Sequence, residues 1–305
     1  MLKRCLAVAV MAFPAAAIAE MPIVNTDLLA KDETIVSVSL THLQNEYATE
    51  TSYGGPSYFG TIEANTRTIY FGVGRGITDN LNISVSGAYK ESEQDSTTVG
   101  AVTLLIEQKS SGVADPYVSL DYKLFSADYP LVASLTVSPA TSSDSSGQSG
   151  VTVNGVKLSE IEEGDAGTGK TRIDPSLSGS MLNGSNAFEW SIEAALDDDK
   201  DTENVYAVRL GCLHKFNGQT SARLTGFAYQ QDGSDAHDVS VSDMLNTGLS
   251  ISLIHQPWPD LRLTAGYTYT FVDDISAHST VSAFRQELTD ASAQALSLSV
   301  SYLIK

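Results

Sequence analysis

The feature that most restricts what this chain can become is an alternation of apolar and polar residues. Leu81, Ile83, Val85 and Tyr89 are interleaved with Asn82, Ser84, Ser86 and Ala88. Phe188, Trp190, Ile192 and Leu196 alternate with Glu189, Ser191, Glu193 and Ala195, and Leu261, Leu263, Tyr267, Tyr269 and Phe271 with Arg262, Thr264, Thr268 and Thr270. The chain closes on Leu296, Leu298, Val300, Tyr302 and Ile304 against serines 297, 299 and 301. Successive side chains of a strand point to opposite faces, so a period of two means strands with one apolar and one polar face. After residue 20 no apolar run is long enough for a membrane-spanning helix.

Twelve such segments begin near residues 34, 66, 81, 113, 129, 171, 186, 204, 219, 244, 261 and 291. The links between them alternate in length. Short ones fall at 78–80, 126–128, 183–185, 217–219 and 257–260, where turn-forming residues gather. Long ones cover 45–65, 91–112, 140–170, 197–203, 231–243 and 273–290, with Thr98 to Glu107 read as β-extension inside the second of them. A soluble β-sandwich, the competing fold, has no reason to gather every long link at one end. An antiparallel up-and-down transmembrane β-barrel does, with an even strand number, short periplasmic turns and long outer loops. The expected organisation is a signal peptide over 1–19, a periplasmic segment over 20–33 and a 12-stranded outer-membrane barrel over 34–305.

The leader follows from Lys3 and Arg4, the short apolar stretch Cys5 to Phe13, and the small-x-small cleavage pattern Ala17-Ile18-Ala19. Its loss removes two basic residues and takes the formal charge from −19 to −21. Nucleic acid is excluded as a partner, because phosphate binding needs a basic footprint. Of the 37 acidic residues, 25 lie in the six long loops beside only five basic ones, which is how solvated loops are built. Cys212 remains alone after the leader is lost, so no internal disulfide forms.

The same parity assigns faces. The apolar sets point to lipid, with Tyr89, Tyr122, Phe188, Tyr206, Phe216, Phe271 and Tyr302 as interfacial aromatics. Arg67 and Arg75 share the parity of Ile69, Phe71 and Val73 and bracket roughly 27 Å of strand, so both reach the rims. The inward face is rich in small hydroxyl side chains such as Ser84, Ser86, Thr136, Ser178, Ser250 and Ser299. Twelve strands lined this way leave a wettable lumen, unless loops or residues 20–33 fold in. Six inward charges are the pore-lining candidates: Glu189, Glu193, Arg209, Lys215, Arg223 and Arg262. Folding the hairpin about Lys200 sets Glu193 opposite Ala207 and Arg209 one diagonal step away. Either these charges line a conducting path, or Glu193 and Arg209 simply satisfy each other.

A family resemblance enters at Gly74-Arg75-Gly76-Ile77-Thr78-Asp79-Asn80-Leu81-Asn82-Ile83-Ser84-Val85-Ser86. This run resembles the first periplasmic turn of the Gram-negative outer-membrane barrels labelled meta-pathway phenol-degradation proteins or transporters. Ser111 to Leu124, containing Asp115-Pro116, and Gly167-Thr168-Gly169 before a strand are similar too. The resemblance runs from about residue 66 to the C-terminus and implies a monomeric, channel-like barrel that passes aromatic or other small hydrophobic compounds. Such barrels usually end on an aromatic; this chain ends Ile304-Lys305.

Other motifs have plainer explanations. Gly164 to Thr171 matches a phosphate-binding loop letter for letter, but acidic residues precede it and Thr171-Arg172-Ile173-Asp174-Pro175, a strand with proline, follows where a helix is required. Asp197-x-Asp199 and Asp235-x-His237 faintly resemble protease pairs, and acidic loops generate such pairs by chance. No two histidines stand at ligand spacing, so neither metal nor cofactor is expected. The reading is a non-catalytic outer-membrane channel for small solutes, with membrane lipid, lipopolysaccharide and the barrel-assembly machinery as partners. The alternatives are a structural or surface-interaction barrel with a closed lumen and, more weakly, an outer-membrane hydrolase.

Overall fold

A computed structural model describes residues 28–100, 103–125, 130–141, 149–159, 164–165, 170–197, 204–233, 235–236, 239–279 and 283–305. The leader with Ala17 and Ala19, and most of the segment that follows it, lie outside the described residues. Twelve strands close into one barrel: β1 (Thr34–Tyr53), β2 (Tyr58–Thr78), β3 (Leu81–Val99), β4 (Leu104–Phe125), β5 (Leu131–Ser138), β6 (Arg172–Asn183), β7 (Asn186–Asp197), β8 (Val205–Lys215), β9 (Thr220–Gln231), β10 (Met244–Trp258), β11 (Leu261–Phe271) and β12 (Phe284–Ile304). Each pairs antiparallel with its chain neighbours, and β12 pairs back onto β1 from Thr34↔Ile304 to Tyr53↔Phe284. Closure leaves the wall without an edge strand, the condition for holding backbone polar groups in lipid.

The outer wall is apolar as parity requires. Val38, Phe71, Val85, Leu120, Ile192, Leu210, Leu253 and Val300 all stand exposed on it, with Tyr122, Phe188, Tyr206 and Tyr302 among the aromatics. Both ends of the described chain lie at the short-turn end, here termed the base. Residues 29–33 run across the base of β2. Asp32 N donates to Gly76 O and Gly76 N to Glu33 O, each at 2.9 Å, Lys31 N donates to Asp79 Oδ1, and Arg75 meets Asp32 at 3.1 Å. A Cβ on Gly76 would sit 2.0 Å from the Ala30 carbonyl oxygen, so this clasp requires the second glycine of Gly74-Arg75-Gly76.

The long links differ from their sequence reading. Residues 45–65 and 91–112 are mostly strand: β1 to β4 and β12 run 19 to 22 residues, whereas β5 to β9 and β11 have 8 to 12. Once above lipid a strand needs no apolar face, so the alternation that marks it fades while the ladder continues. Val156 to Ser159 folds back on Gly150 to Val153 through Asn154-Gly155, both with positive φ as a two-residue hairpin turn requires. That hairpin adds to β4, and residues 275–279 add to β12. The described part of the phosphate-loop look-alike pairs parallel with Ser110-Ser111 and leads through Lys170 and Thr171 into β6, not into a helix.

On the outer face of this tall wall Glu46, Glu63, Asp95 and Glu107 stand directly opposite one another across β1 to β4. Burial, followed by the charges of Glu107, Glu93 and Glu63, raises the Asp95 carboxyl above its ordinary value of 3.8. A raised carboxyl costs stability once pH has climbed through its folded value, and the cost vanishes below the unfolded value. Asp95→Asn should therefore stabilise the folded barrel at neutral pH by about 0.5 kcal/mol, the scale of one like-charge cross-strand pair. Urea midpoints of variant and parent should converge near about pH 3, where both side chains are neutral. A variant less stable than its parent at neutral pH would contradict this.

Candidate functional site

The lumen has two zones, set by what the inward parity carries. Its base half is lined as expected by Ser37, Ser39, Ser84, Ser119, Ser299 and Ser301, with Gly72 and Gly74 thinning the wall of β2. Its loop half is filled. Leu43, Tyr47, Ile62, Tyr229, Met244, Val272 and Leu288 form one buried cluster with the small residues Ala291, Ala293 and Ala295 of β12. Tyr47 is 0% and Tyr229 1% exposed, so at this level the lumen admits no water-sized sphere around either ring. The expectation of a wettable lumen is corrected for this half, which strand side chains leave dry and apolar. Most of the seal comes from strand side chains, with Val272 and Ile275 contributed by the link after β11.

The sequence carries this change as a switch of parity. On β1 the apolar positions are even from Val36 to Leu40 and odd from Leu43 to Tyr47. The two sets occupy opposite faces, so the switch marks the height at which apolar side chains turn inward. Tyr229 and Phe227 on β9 oppose Leu224 in the same way, as Met244 opposes Leu245 on β10. Phe227 and Tyr229 stack with ring centroids 6.3 Å apart at 15°. The Phe227 ring lies over Gly248, where a Cβ would approach it to 2.3 Å.

Below the aromatic seal, the charged candidates form pairs along β7, β8 and β9. Glu193 faces Ala207 and Ser191 faces Arg209, the register derived from the hairpin. Arg209 Nη1 donates to Glu193 Oε1, which also accepts the Ser191 hydroxyl at 2.9 Å. Both charged side chains of that pair are at least nine-tenths buried. Arg223 grips Glu189 with two bonds, Nε to Oε2 at 2.7 Å and Nη2 to Oε1 at 3.1 Å. Two-point contact fixes a guanidinium against a carboxylate in orientation as well as distance. Arg172 and Asp174 add a third pair at 2.7 Å near the start of β6. Lys215 lies exposed at the base of β8, and Arg262 half-buried opposite Ser301 at the base of β11. The structure thus brings four of the six candidates together as two ion pairs and leaves the other two at the base rim.

No family model matches this chain, and no curated protein matches it by sequence. The resemblance seen at residues 74–86 and 111–124 stands on those residues alone. Solved structures do match. An outer membrane channel from Pseudomonas putida F1 is 13% identical, covers 93% of this chain and 100% of its own, and superposes with a TM-score of 0.56. The TodX monoaromatic hydrocarbon channel, as its deltaS2 mutant, is 12% identical over 90% of this chain and 91% of its own, with a TM-score of 0.51. At such identities the likeness establishes a shared fold: a transmembrane β-barrel of the outer-membrane type.

Within that fold, the residues of the two similar segments have visible work. Gly76 makes room for the clasp at the base. Asp115, at the irregularity where β4 slips against β3, accepts from both the backbone N–H and the hydroxyl of Thr141, at 2.8 and 3.0 Å, and so anchors the start of the longest link. A depression of about 590 Å³ lies on the outer wall, where the β6–β7 ladder skips Asp174 and Pro175 on one strand and Ala194 and Ala195 on the other. Its lining includes Pro175, Ile192, Tyr206, Val208 and Leu245 on the lipid side, and it reaches inward to Glu193 and to Ala207, which belongs to the cluster around Tyr229.

Proposed function

We propose that this chain is a Gram-negative outer-membrane barrel for passive passage of small, neutral, largely apolar solutes, without catalysis. The base then faces the periplasm and the tall wall stands among lipopolysaccharide. The observation that carries the reading is the composition of the constriction: Leu43, Tyr47, Ile62, Tyr229, Met244 and Val272 with no charged side chain among them. A charged solute would lose its hydration there without compensation, while an apolar one exchanges water for aliphatic and aromatic contact. The names of the two similar structures, an outer membrane channel and a monoaromatic hydrocarbon channel, support the same direction. The charged pairs fit a supporting role, since Glu193 and Glu189 are each neutralised by an arginine.

The experiment is uptake by cells whose outer membrane retains its lipopolysaccharide, comparing the producing strain with one lacking the protein. Small neutral aromatics should enter several-fold faster in the producing strain, and sugars and aromatic acids at equal rates in both. Equal rates for the whole panel would sink the passage reading and favour the second one, a structural barrel with a closed lumen. That second reading draws on the complete burial of Tyr47 and Tyr229. A hydrolase has less support: of its pairs Asp197/Asp199 and Asp235/His237, Asp199 and His237 lie outside the described residues.

A further inference from the structure

We propose that the loop half of the lumen contains a subsite for a neutral solute with an apolar body and a hydroxyl group. The inference rests on the passage reading and names what the lumen recognises. Among the described residues, Asn45 Oδ1, Thr270 Oγ1 and Asn246 Nδ2 are buried beside the apolar cluster with no hydrogen-bond partner. Their residues are 4%, 1% and 0% exposed. Each such orphan costs about 1–3 kcal/mol relative to an apolar residue of similar shape, so three in one apolar cluster call for a cause.

Their arrangement supplies one. Asn45 on β1 pairs with Ala293 on β12, and Ala293 pairs in turn with Thr270 on β11. Thr270 pairs with Gly248 on β10, and Asn246 is the next inward residue on that strand. The three polar side chains therefore surround Ala293, which puts only a methyl group into the lumen, and Gly248, whose place is taken by the Phe227 ring. Asn45 and Thr270 stand two ladder spacings apart, roughly 9.5 Å between backbones, about the width of one ring with a substituent. Tyr229 faces Asn246 directly across the ladder, and Phe227 stacks beside it over Gly248. A solute ring that takes the place of the Phe227 ring over Gly248 and packs against Tyr229 would meet the polar atoms at its edge.

The donor and acceptor pattern selects the polar group. Asn45 offers an oxygen that accepts and Asn246 an N–H that donates, its own oxygen being used by the Asp273 N–H at 3.3 Å, while Thr270 can do either. A hydroxyl both donates and accepts and matches this set. A carboxylate would confront the Asn45 oxygen with no cation to hold it, because Arg209 and Arg223 are engaged by glutamates. A pure hydrocarbon would leave the three atoms as they are.

The test uses the folded barrel in detergent micelles with two probes of nearly equal size, benzyl alcohol and ethylbenzene, their affinities measured by equilibrium dialysis. Thr270→Val should weaken benzyl alcohol about fivefold, and Thr270→Val with Asn45→Leu about 30-fold, one lost hydrogen bond at each step. Ethylbenzene should bind the variants at least as well as the parent, and Thr270→Ser, which keeps the hydroxyl, should restore benzyl alcohol binding. If the Asn45 variant fails to fold, the Thr270→Val and Thr270→Ser pair alone decides. Unchanged benzyl alcohol affinity in Thr270→Val, or equal losses for both probes, would overturn the subsite and leave passage standing. A parent barrel that binds neither probe would also overturn it, and uptake into cells then shows separately whether passage fails as well.

Discussion

Alanine at both Tyr47 and Tyr229 should turn a barrel that passes no ions in planar bilayers into one with steady, measurable conductance. The two rings are the largest fully buried side chains among the described residues, and they meet in the cluster that seals the loop half of the lumen. Around them the wall carries little that could replace them, since Ala291, Ala293 and Ala295 face the same space. Truncating a buried aromatic in a closed core costs about 3–5 kcal/mol. Here the new space connects to the hydroxyl-lined base half, so water fills it, and the stability cost should lie at or below the lower end of that range. The readout is single-channel recording together with the shift of mobility on boiling that reports a folded barrel. A folded double variant that stays silent would place the seal in Val272, Ile275 and Leu288 instead.

The second large effect concerns Arg209. Replacing it by leucine strands Glu193 as a buried carboxylate, with the Ser191 hydroxyl as its one remaining hydrogen bond described above. Breaking a buried pair from one side costs about 3–5 kcal/mol, because the abandoned charge has lost both water and partner. The barrel should unfold at markedly lower urea. Arg209→Leu combined with Glu193→Leu should recover most of the loss, since an apolar pair of similar volume needs no partner. If the double variant is as damaged as the single one, the residues matter through packing and not through their charges. Neither variant should alter the uptake preference for neutral solutes if the pair serves the wall and not the passage.

Most of the architecture was legible because lipid imposes one rule on every strand. A residue such as Val85 or Ile192 must be apolar on the outside, and its neighbours Ser84 or Ser191 need not be. Twelve strand positions and the outward aromatics follow from that single constraint, and the register at Glu193 follows from the length of the β7–β8 link. Above the membrane the rule lapses. The upper parts of β1 to β4 carry acids on their outer face, and so they read as loops. Inside the lumen no such rule operates at all: Tyr47, Asn45 and Ala293 have the inward parity of Ser39 and Ser299, and only the parity switch between Leu40 and Leu43 hints that the filling has changed. Which inward side chains touch across the lumen depends on the curvature of the wall, a property of twelve strands together that no one segment encodes. The partners of Glu189 show the same limit. Its hairpin neighbour β8 could be read from the loop length, but the arginine that holds it comes from β9, two strands away.

The β1–β12 seam has a kinetic consequence. It joins the two ends of the barrel sequence through 19 residue pairs. Contacts between residues so far apart in sequence form late and slowly, because the intervening chain must first be brought to order. Interactions that form after the rate-limiting step act mainly on the rate of unfolding. A long seam therefore contributes little to how fast the barrel is made and much to how long it lasts. Once zipped, it would open only by a cooperative rupture along the tall wall, giving a lifetime set by a barrier more than by an equilibrium.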